Sequence, residues 1–318
     1  MDKVSHEDAI GLGGPEFHFP IEQGKVREFA MTLFAWRDDY LDTRHPPMFP
    51  TQTVVAGYSW GYMLEDPKAT DLARVAINPM MSLDAEQEFI FPDGPPHASD
   101  NLISRTWVDD IWEKEGRKGG KLTFYRTRSD YKHADGRIAC INYATSVVPD
   151  GVPDTPFPEF EPGDVPVMRD SDRRQELMAI RPASWDQLVA GDDPGPIAMP
   201  PLTLTEVVSY QVVSGSYGAA HHDADAARAD GFPTWFSVGM FHAGLLATYA
   251  VNWLGPENIR RLKYRFNDMM WPGDELTYAG SVSKTYEDND QRLVDIELAC
   301  TRPADQIVTQ GWATLVVP

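Results

Sequence analysis

YQVVSGSYGAAHHDADAARADGFPTWFSVGMFHAGLLATYAVNWLG, residues 210–255, is the stretch whose reading decides the fold. It opens on small and polar residues, passes the cluster His221-His222-Asp223 and closes on a long apolar run. Within that run Phe236, Val238, Met240, Phe241, Leu245, Leu246, Tyr249, Val251 and Trp253 occupy nearly every face of a helix. A helix without a polar stripe has to be enclosed, and the chain beyond it is strand material. Segments 258–266, 275–287, 292–302 and 306–318 all read as strands between turns. Ahead of the helix, the Val- and Thr-rich segment 202–213 also reads as a strand, and 224–231 as a short helix.

The same order is legible upstream. A helix is predicted from about Glu22, with Val26, Phe29, Ala30 and Leu33 at helical spacing, and a Pro-rich turn at 45–50 ends it. TQTVVAGYSWGYMLED, 51–66, is apolar and of helix length, entered by Thr51 and stopped before Pro67; it carries Tyr58 and Trp60. Strands are predicted at 86–91, 101–115, 121–132 and 137–149, divided by GPP, GRKGG and HADG turns. The two sets end alike: YATSVVP at 143–149 stands against WATLVVP at 312–318, five of seven letters identical. Asp100-Asn101-Leu102 likewise parallels Asp274-Glu275-Leu276. Matching order together with matching letters reads as a duplication. The predicted fold class is α+β, a double hot dog: two repeats, each a long central helix wrapped by an antiparallel sheet. Residues 1–149 would form the first unit and 201–318 the second. The stretch 150–200, rich in Pro and acid, is read as a linker.

Composition narrows the partners. With 42% hydrophobic and 24% charged residues, the 318-residue chain has the make-up of a packed globular protein. A formal charge of −20 repels nucleic acid and anionic membranes, so neither is expected as a partner. No apolar run reaches the roughly 20 residues of a membrane span, and MDKVSHEDAIG lacks the apolar stretch of a signal peptide. A soluble, cytoplasmic protein is the expectation. Cys140 and Cys300 are too few for a disulfide framework and form no CxxC site. Open sheet edges predict a homodimer or a higher homo-oligomer.

SGSYGAAHHD, the alanine-rich turn and GF after it, VGMFHAGLLATYAVNWLGP and WPGDELTYAGSV together resemble the MaoC-like (R)-specific enoyl-CoA hydratases and dehydratases. The likeness is closer to members acting on bulky acyl-CoA esters, including those of steroid side-chain breakdown. The first unit is similar to the fungal fatty-acid-synthase-type dehydratase domain that forms the N-terminal half of double hot-dog members. The resemblance implies reversible hydration of an α,β-unsaturated acyl-CoA, with CoA part of the substrate and no separate cofactor. It also implies a first unit that has lost catalysis and widened the acyl pocket, with Tyr58 and Trp60 on its central helix. The family pattern carries Asp and His five residues apart on a loop, and a backbone N–H at the start of the central helix. The His falls on His221, the two helix glycines on Gly239 and Gly244, and the acidic residue two beyond the His on Asp223. The Asp position holds Ser216, and the Asn that usually follows it is Gly218.

Hydration of an enoyl thioester requires a group to take a proton from water, a group to deliver one to the α-carbon, and a donor for the thioester oxygen. Unpaired N–H groups at a helix start suit the last task, and a glycine such as Gly239 admits a carbonyl closely. An imidazole titrates near neutrality, so His221 is the candidate acid/base. Ser216 holds its proton too tightly to be a base but can position water. Either His221 works alone beside Ser216, or the lyase chemistry is lost. His221, His222 and Asp223 are adjacent, point to different faces and make a poor metal set; no metal is expected. Tyr217, Phe241 and His242 line the acyl pocket or simply pack. Asp38 and Asp39, paired at a helix end, read as solvated. Arg261, Lys263 and Arg265 alternate with apolar residues, so the row either grips CoA phosphates or forms a solvated face paired with carboxylates. Arg117, Lys118 and Lys121 mark a soluble turn. Two further functions stay open: an acyl-thioester-binding protein without catalysis, and a hot-dog thioesterase.

Overall fold

The computed structural model describes residues 3–57, 74–75, 82–116, 120–149, 177 and 180–317. Tyr58, Trp60, Arg117, Lys118 and most of the 150–200 stretch lie outside them, as does the predicted first central helix beyond the helical backbone at 54–57. The helices are α1 (His6–Ala9), α2 (Gln23–Thr32), α3 (Asp38–Leu41), α4 (Leu204–Ser214), α5 (Ala224–Ala229) and α6 (Gly239–Leu254). The strands are β1 (Phe17–Pro20), β2 (Leu83–Ile90), β3 (Asn101–Glu115), β4 (Lys121–Lys132), β5 (Ile138–Pro149), β6 (Ile197–Ala198), β7 (Ile259–Phe266), β8 (Thr277–Asp288), β9 (Gln291–Arg302) and β10 (Gln306–Val316).

Among the described residues, ten strands join one sheet in the order β1-β3-β4-β5-β2-β7-β10-β9-β8-β6. Read outward from the β2–β7 seam, each half runs in the same sequence. The repeat extends to single hydrogen bonds. Asp100 accepts from the His97 amide at 2.9 Å and Asp274 from the Trp271 amide at 2.8 Å. The carbonyls of the same two aspartates accept from Ile21 and Leu202, one residue ahead of the N-caps of α2 and α4. Twelve residues past each cap stands a left-handed residue, Phe34 (φ 61°) and Gly215 (φ 76°). The shared ending seen in the letters lies on β5 and β10, with Tyr143 opposite Glu88 and Trp312 opposite Lys263.

One prediction fails: 202–213 is mostly helix, not strand. Thr203 caps α4 through a capping box with Glu206, and Gly215 closes it in a left-handed turn. Val207, Tyr210, Gln211 and Ser214 face inward at helical spacing. Local signals at both ends outweigh the β preference of the valines. α6 is buried along its length, as predicted, and threads the cup formed by β7–β10. Gly244 touches the first unit: a Cβ there would lie 2.6 Å from the Leu33 side chain, and Thr248 donates to the Leu33 carbonyl at 2.7 Å. The larger of two hydrophobic clusters among the described residues runs through both units.

Candidate active site

The loop after α4 is held from behind. The buried Gln211 side chain donates to the carbonyls of Ser216 (2.7 Å) and Gly218 (2.9 Å), and its oxygen accepts from His222 Nδ1 (2.9 Å). One amide therefore fixes both ends of the turn that carries Ser216 and leads into the 3-10 turn Ala219–His221. Ser216 is buried. Gln211 was not legible as a site residue, because it sits in the segment read as a strand; the helical spacing of its buried neighbours is the signal that finds it.

His221 is pinned by a carbonyl. Its Nδ1–H donates to Phe236 O at 2.9 Å, and the ring packs edge-on against Phe236 with centroids 4.7 Å apart. A carbonyl only accepts, so the proton is on Nδ1 and the lone pair on Nε2. Gly218 leaves bare backbone beside that edge: a Cβ there would lie 3.3 Å from Cδ2 and 3.8 Å from Nε2. Burial lowers the pKa of His221 below its usual 6.5, the Phe236 carbonyl pulling the other way without reversing it, so the ring is neutral at pH 7.

Phe236 lies three residues before Gly239, the first residue of α6. The same short segment thus holds the imidazole and delivers the helix start with its unpaired amides. Gly239 also packs closely, since a Cβ would stand 3.1 Å from the Phe266 ring, which would have to give way slightly. His221, Ser216 and Gly239 all belong to this region, and Phe236 O and Gln211 join them as the groups that position it.

The other candidates have different occupations. Asp223 is exposed and caps α5, accepting from the amides of Asp225 and Ala226; those bonds hold its carboxyl below the usual range. Tyr217 projects into solvent at 69% exposure. Phe241 is buried against Tyr210. His242 is buried with Nδ1 2.6 Å from Tyr278 OH and Nε2 2.8 Å from Ser237 Oγ, and with Phe241 it lines a small cavity beside Met199 and Leu276. Lys263 and Arg265 bind Glu86 at 3.1 and 2.6 Å, and Arg261 binds Glu88 at 2.6 Å. The basic row pairs with carboxylates across the seam, as in the second of the two alternatives for Lys263 and Arg265. Asp39 pairs with Arg37 in the first turn of α3, and Lys121 with Glu113.

Residues 188–302 match the MaoC like domain family. The chain carries a MaoC-like domain. Its loop and helix start both fall within the match. Among solved structures, a MaoC-like dehydratase superposes with a TM-score of 0.72 at 18% identity, covering 98% of this chain and 99% of that one. A MaoC-like dehydratase from Phytophthora capsici gives 0.63 at 14% identity, covering 99% of each. A conserved hypothetical protein from Mycobacterium tuberculosis, described as having a double hotdog fold, gives 0.61 at 12%, covering 99% and 98%. Such identities establish the fold, and the fold is the double hot dog. A comparison with curated proteins returns no match. No helix among the described residues is long and apolar enough to cross a membrane.

Proposed function

We propose that the protein is a hydro-lyase that reversibly adds water to an α,β-unsaturated acyl-CoA, with its site in the MaoC-like domain. The observation that carries this reading is the Phe236 carbonyl. It leaves His221 Nε2 free as a base and fixes the ring three residues from the amides that open α6. In the hydration direction Nε2 takes a proton from water as its oxygen adds to Cβ. The imidazolium then returns a proton to Cα, so the sum is the addition of one water. The Gly239 amide supports the thioester oxygen as negative charge gathers there. Ser216 orients the water in place of the carboxylate that the family pattern carries.

The first unit offers no second site on this reading. By the matched hydrogen bonds, Ala35 stands where the second unit has Ser216, and Pro50 where it has Gly239. Proline has no N–H to offer an oxyanion. We assign the first unit to holding the acyl group.

The test is turnover of enoyl-CoA esters by the full chain, followed as loss of enoyl absorbance without thiol release. His221→Ala should lose roughly 10²–10⁴-fold in kcat, whereas Ser216→Ala, which removes only a positioning group, should lose on the order of tenfold. The kcat/KM of the wild type should fall only on the acid side, as His221 protonates below 6.5. Thiol release would make the protein a thioesterase. Tight binding with wild-type turnover no greater than that of His221→Ala would make it a binding module, the reading favoured by the absent carboxylate.

A further inference from the structure

The two halves of the sheet have the same strand order, but two matched rows of their inner faces differ, although the second half also buries the hydroxyls of Tyr264 and Thr309, unpaired among the described residues. In the first, Thr106, Ser129 and Asn142 lie side by side across β3, β4 and β5. The register-matched residues of β8, β9 and β10 are Gly280, Leu298 and Gly311. One row on, Thr127, Ala144 and Gln87 oppose one another, and their counterparts are Ile296, Ala313 and Leu262. The second half closes dryly on α6: a Cβ on Gly280 would stand 2.6 Å from Leu298 and 2.9 Å from Tyr249. The first half instead turns hydroxyls and amides inward, and Thr106, Ser129, Asn142 and Gln87 are all buried.

Part of this polarity is satisfied within the protein. Thr106 and Ser129 share a hydrogen bond of 2.6 Å, and Asn142 donates to Gln87 at 3.3 Å. The rest is not. Thr53 Oγ1, Ser104 Oγ, Thr51 Oγ1 and both polar atoms of the Gln52 amide are fully buried and have no hydrogen-bond partner among the described residues. They belong together: Tyr131, directly opposite Ser104, donates to the Thr53 carbonyl at 3.2 Å and ties the 51–53 turn to this face. By the matched hydrogen bonds, Met240, Phe241 and His242 occupy the corresponding turn of the second unit. Each buried polar group left unpaired costs about 1–3 kcal/mol. A wall built only to hold a hydrocarbon chain would have been cheaper in Val and Leu, which the other half uses.

We propose that the first unit seats a neutral, oxygen-bearing portion of the acyl group, a hydroxyl or ketone, through Gln52, Thr53 and Ser104, in preference to a plain hydrocarbon chain. The proposal rests on the acyl-thioester reading and specifies its substrate class. None of these inner-face positions is Lys or Arg, so nothing there favours a carboxylate. Gln52 offers both a donor and an acceptor, and the hydroxyls of Thr53 and Ser104 serve as either, which suits hydroxyl and keto oxygens.

The test uses the full chain and calorimetric titration of dodecanoyl-CoA against a series of its mono-hydroxy and mono-keto counterparts. A site built to hydrogen-bond a substrate oxygen rejects the analogue lacking it. At least one oxygenated ester should therefore bind about tenfold or more tightly than the plain ester. Thr53→Val, Ser104→Ala and Gln52→Leu should each narrow that gap while keeping affinity for the plain ester. They should also raise the melting temperature of the unliganded protein, because each removes an unpaired buried group; a residue with a purely structural role would lower it. Equal affinities across the series, or a gap untouched by all three substitutions, would overturn the proposal alone. Failure to bind any ester would overturn the acyl-thioester reading and this proposal with it. The first two substitutions are nearly isosteric, so they decide the matter if Gln52→Leu does not fold.

Discussion

His221 is only as useful as the loop that holds it, and that loop hangs on Gln211. Its side-chain amide makes three hydrogen bonds, two to carbonyls on either side of Tyr217 and one from His222. Gln211→Leu keeps the bulk but leaves the Ser216 and Gly218 carbonyls without that donor. Loss of the hydrogen bonds should cost about 1–3 kcal/mol of stability, and kcat should fall on the order of tenfold to a hundredfold with little change in KM, as expected when a reacting group is misplaced. Unfolding curves and steady-state kinetics on the same preparation check both. A lowered melting temperature with unchanged kcat would show that the clamp serves the fold and not the site. Asp223 teaches the opposite lesson at this scale. Its place two residues after the histidine is what the family pattern leads one to expect, yet its carboxylate is occupied by the amides of α5.

At the scale of elements, legibility followed how far the deciding signal lay from the residue being read. The alternating strands and α6 were legible because each carries its own period: β3 and β4 have the bounds predicted for them, and α6 is apolar all round, as an enclosed helix must be. α4 was misread because its two valine pairs argue for a strand, while its identity rests on Thr203, Glu206 and Gly215, three residues at its ends. Removing one of these should show their weight. Thr203→Ala breaks the bond from the Glu206 amide, one half of the reciprocal box, while the Thr203 amide keeps its bond to the Glu206 carboxylate, and should cost about 1 kcal/mol in urea unfolding. A cost near zero would mean that packing of Val207 and Tyr210 alone holds the helix. The candidate site divides in the same way: His221, Ser216 and Gly239 stand in one contiguous stretch that can be read from the letters, whereas Phe236 holds the imidazole through a backbone carbonyl, which no side-chain pattern announces.

For the whole molecule, the question is what joins two curled half-sheets into one. β2 and β7 pair antiparallel at the seam, and their outward side chains alternate acid against base: Glu88 with Arg261, and Glu86 with both Lys263 and Arg265. Burial alone would push the Glu86 carboxyl up, but hydrogen bonds from Arg265 and Lys263 outweigh it and hold the pKa below the ordinary 4.5. A carboxylate whose pKa is lower folded than unfolded contributes stability that is complete above the unfolded value and is lost as pH falls through the folded one. The seam contribution of Glu86 should therefore be intact at pH 7 and disappear below about 4.5. These pairs are partly exposed, so each is worth roughly 0.2–1 kcal/mol and weakens with salt. Lys263→Glu should lower stability at pH 7 by more than that, because it sets like charges opposite one another, and the exchanged pair Glu86→Lys with Lys263→Glu should recover part of the loss. CoA-ester affinity should stay within a factor of about two throughout. Denaturation midpoints across pH, with ester titrations on the same variants, separate the two roles. A Lys263→Glu protein as stable as wild type that binds CoA esters about tenfold more weakly would return the basic row to the phosphates.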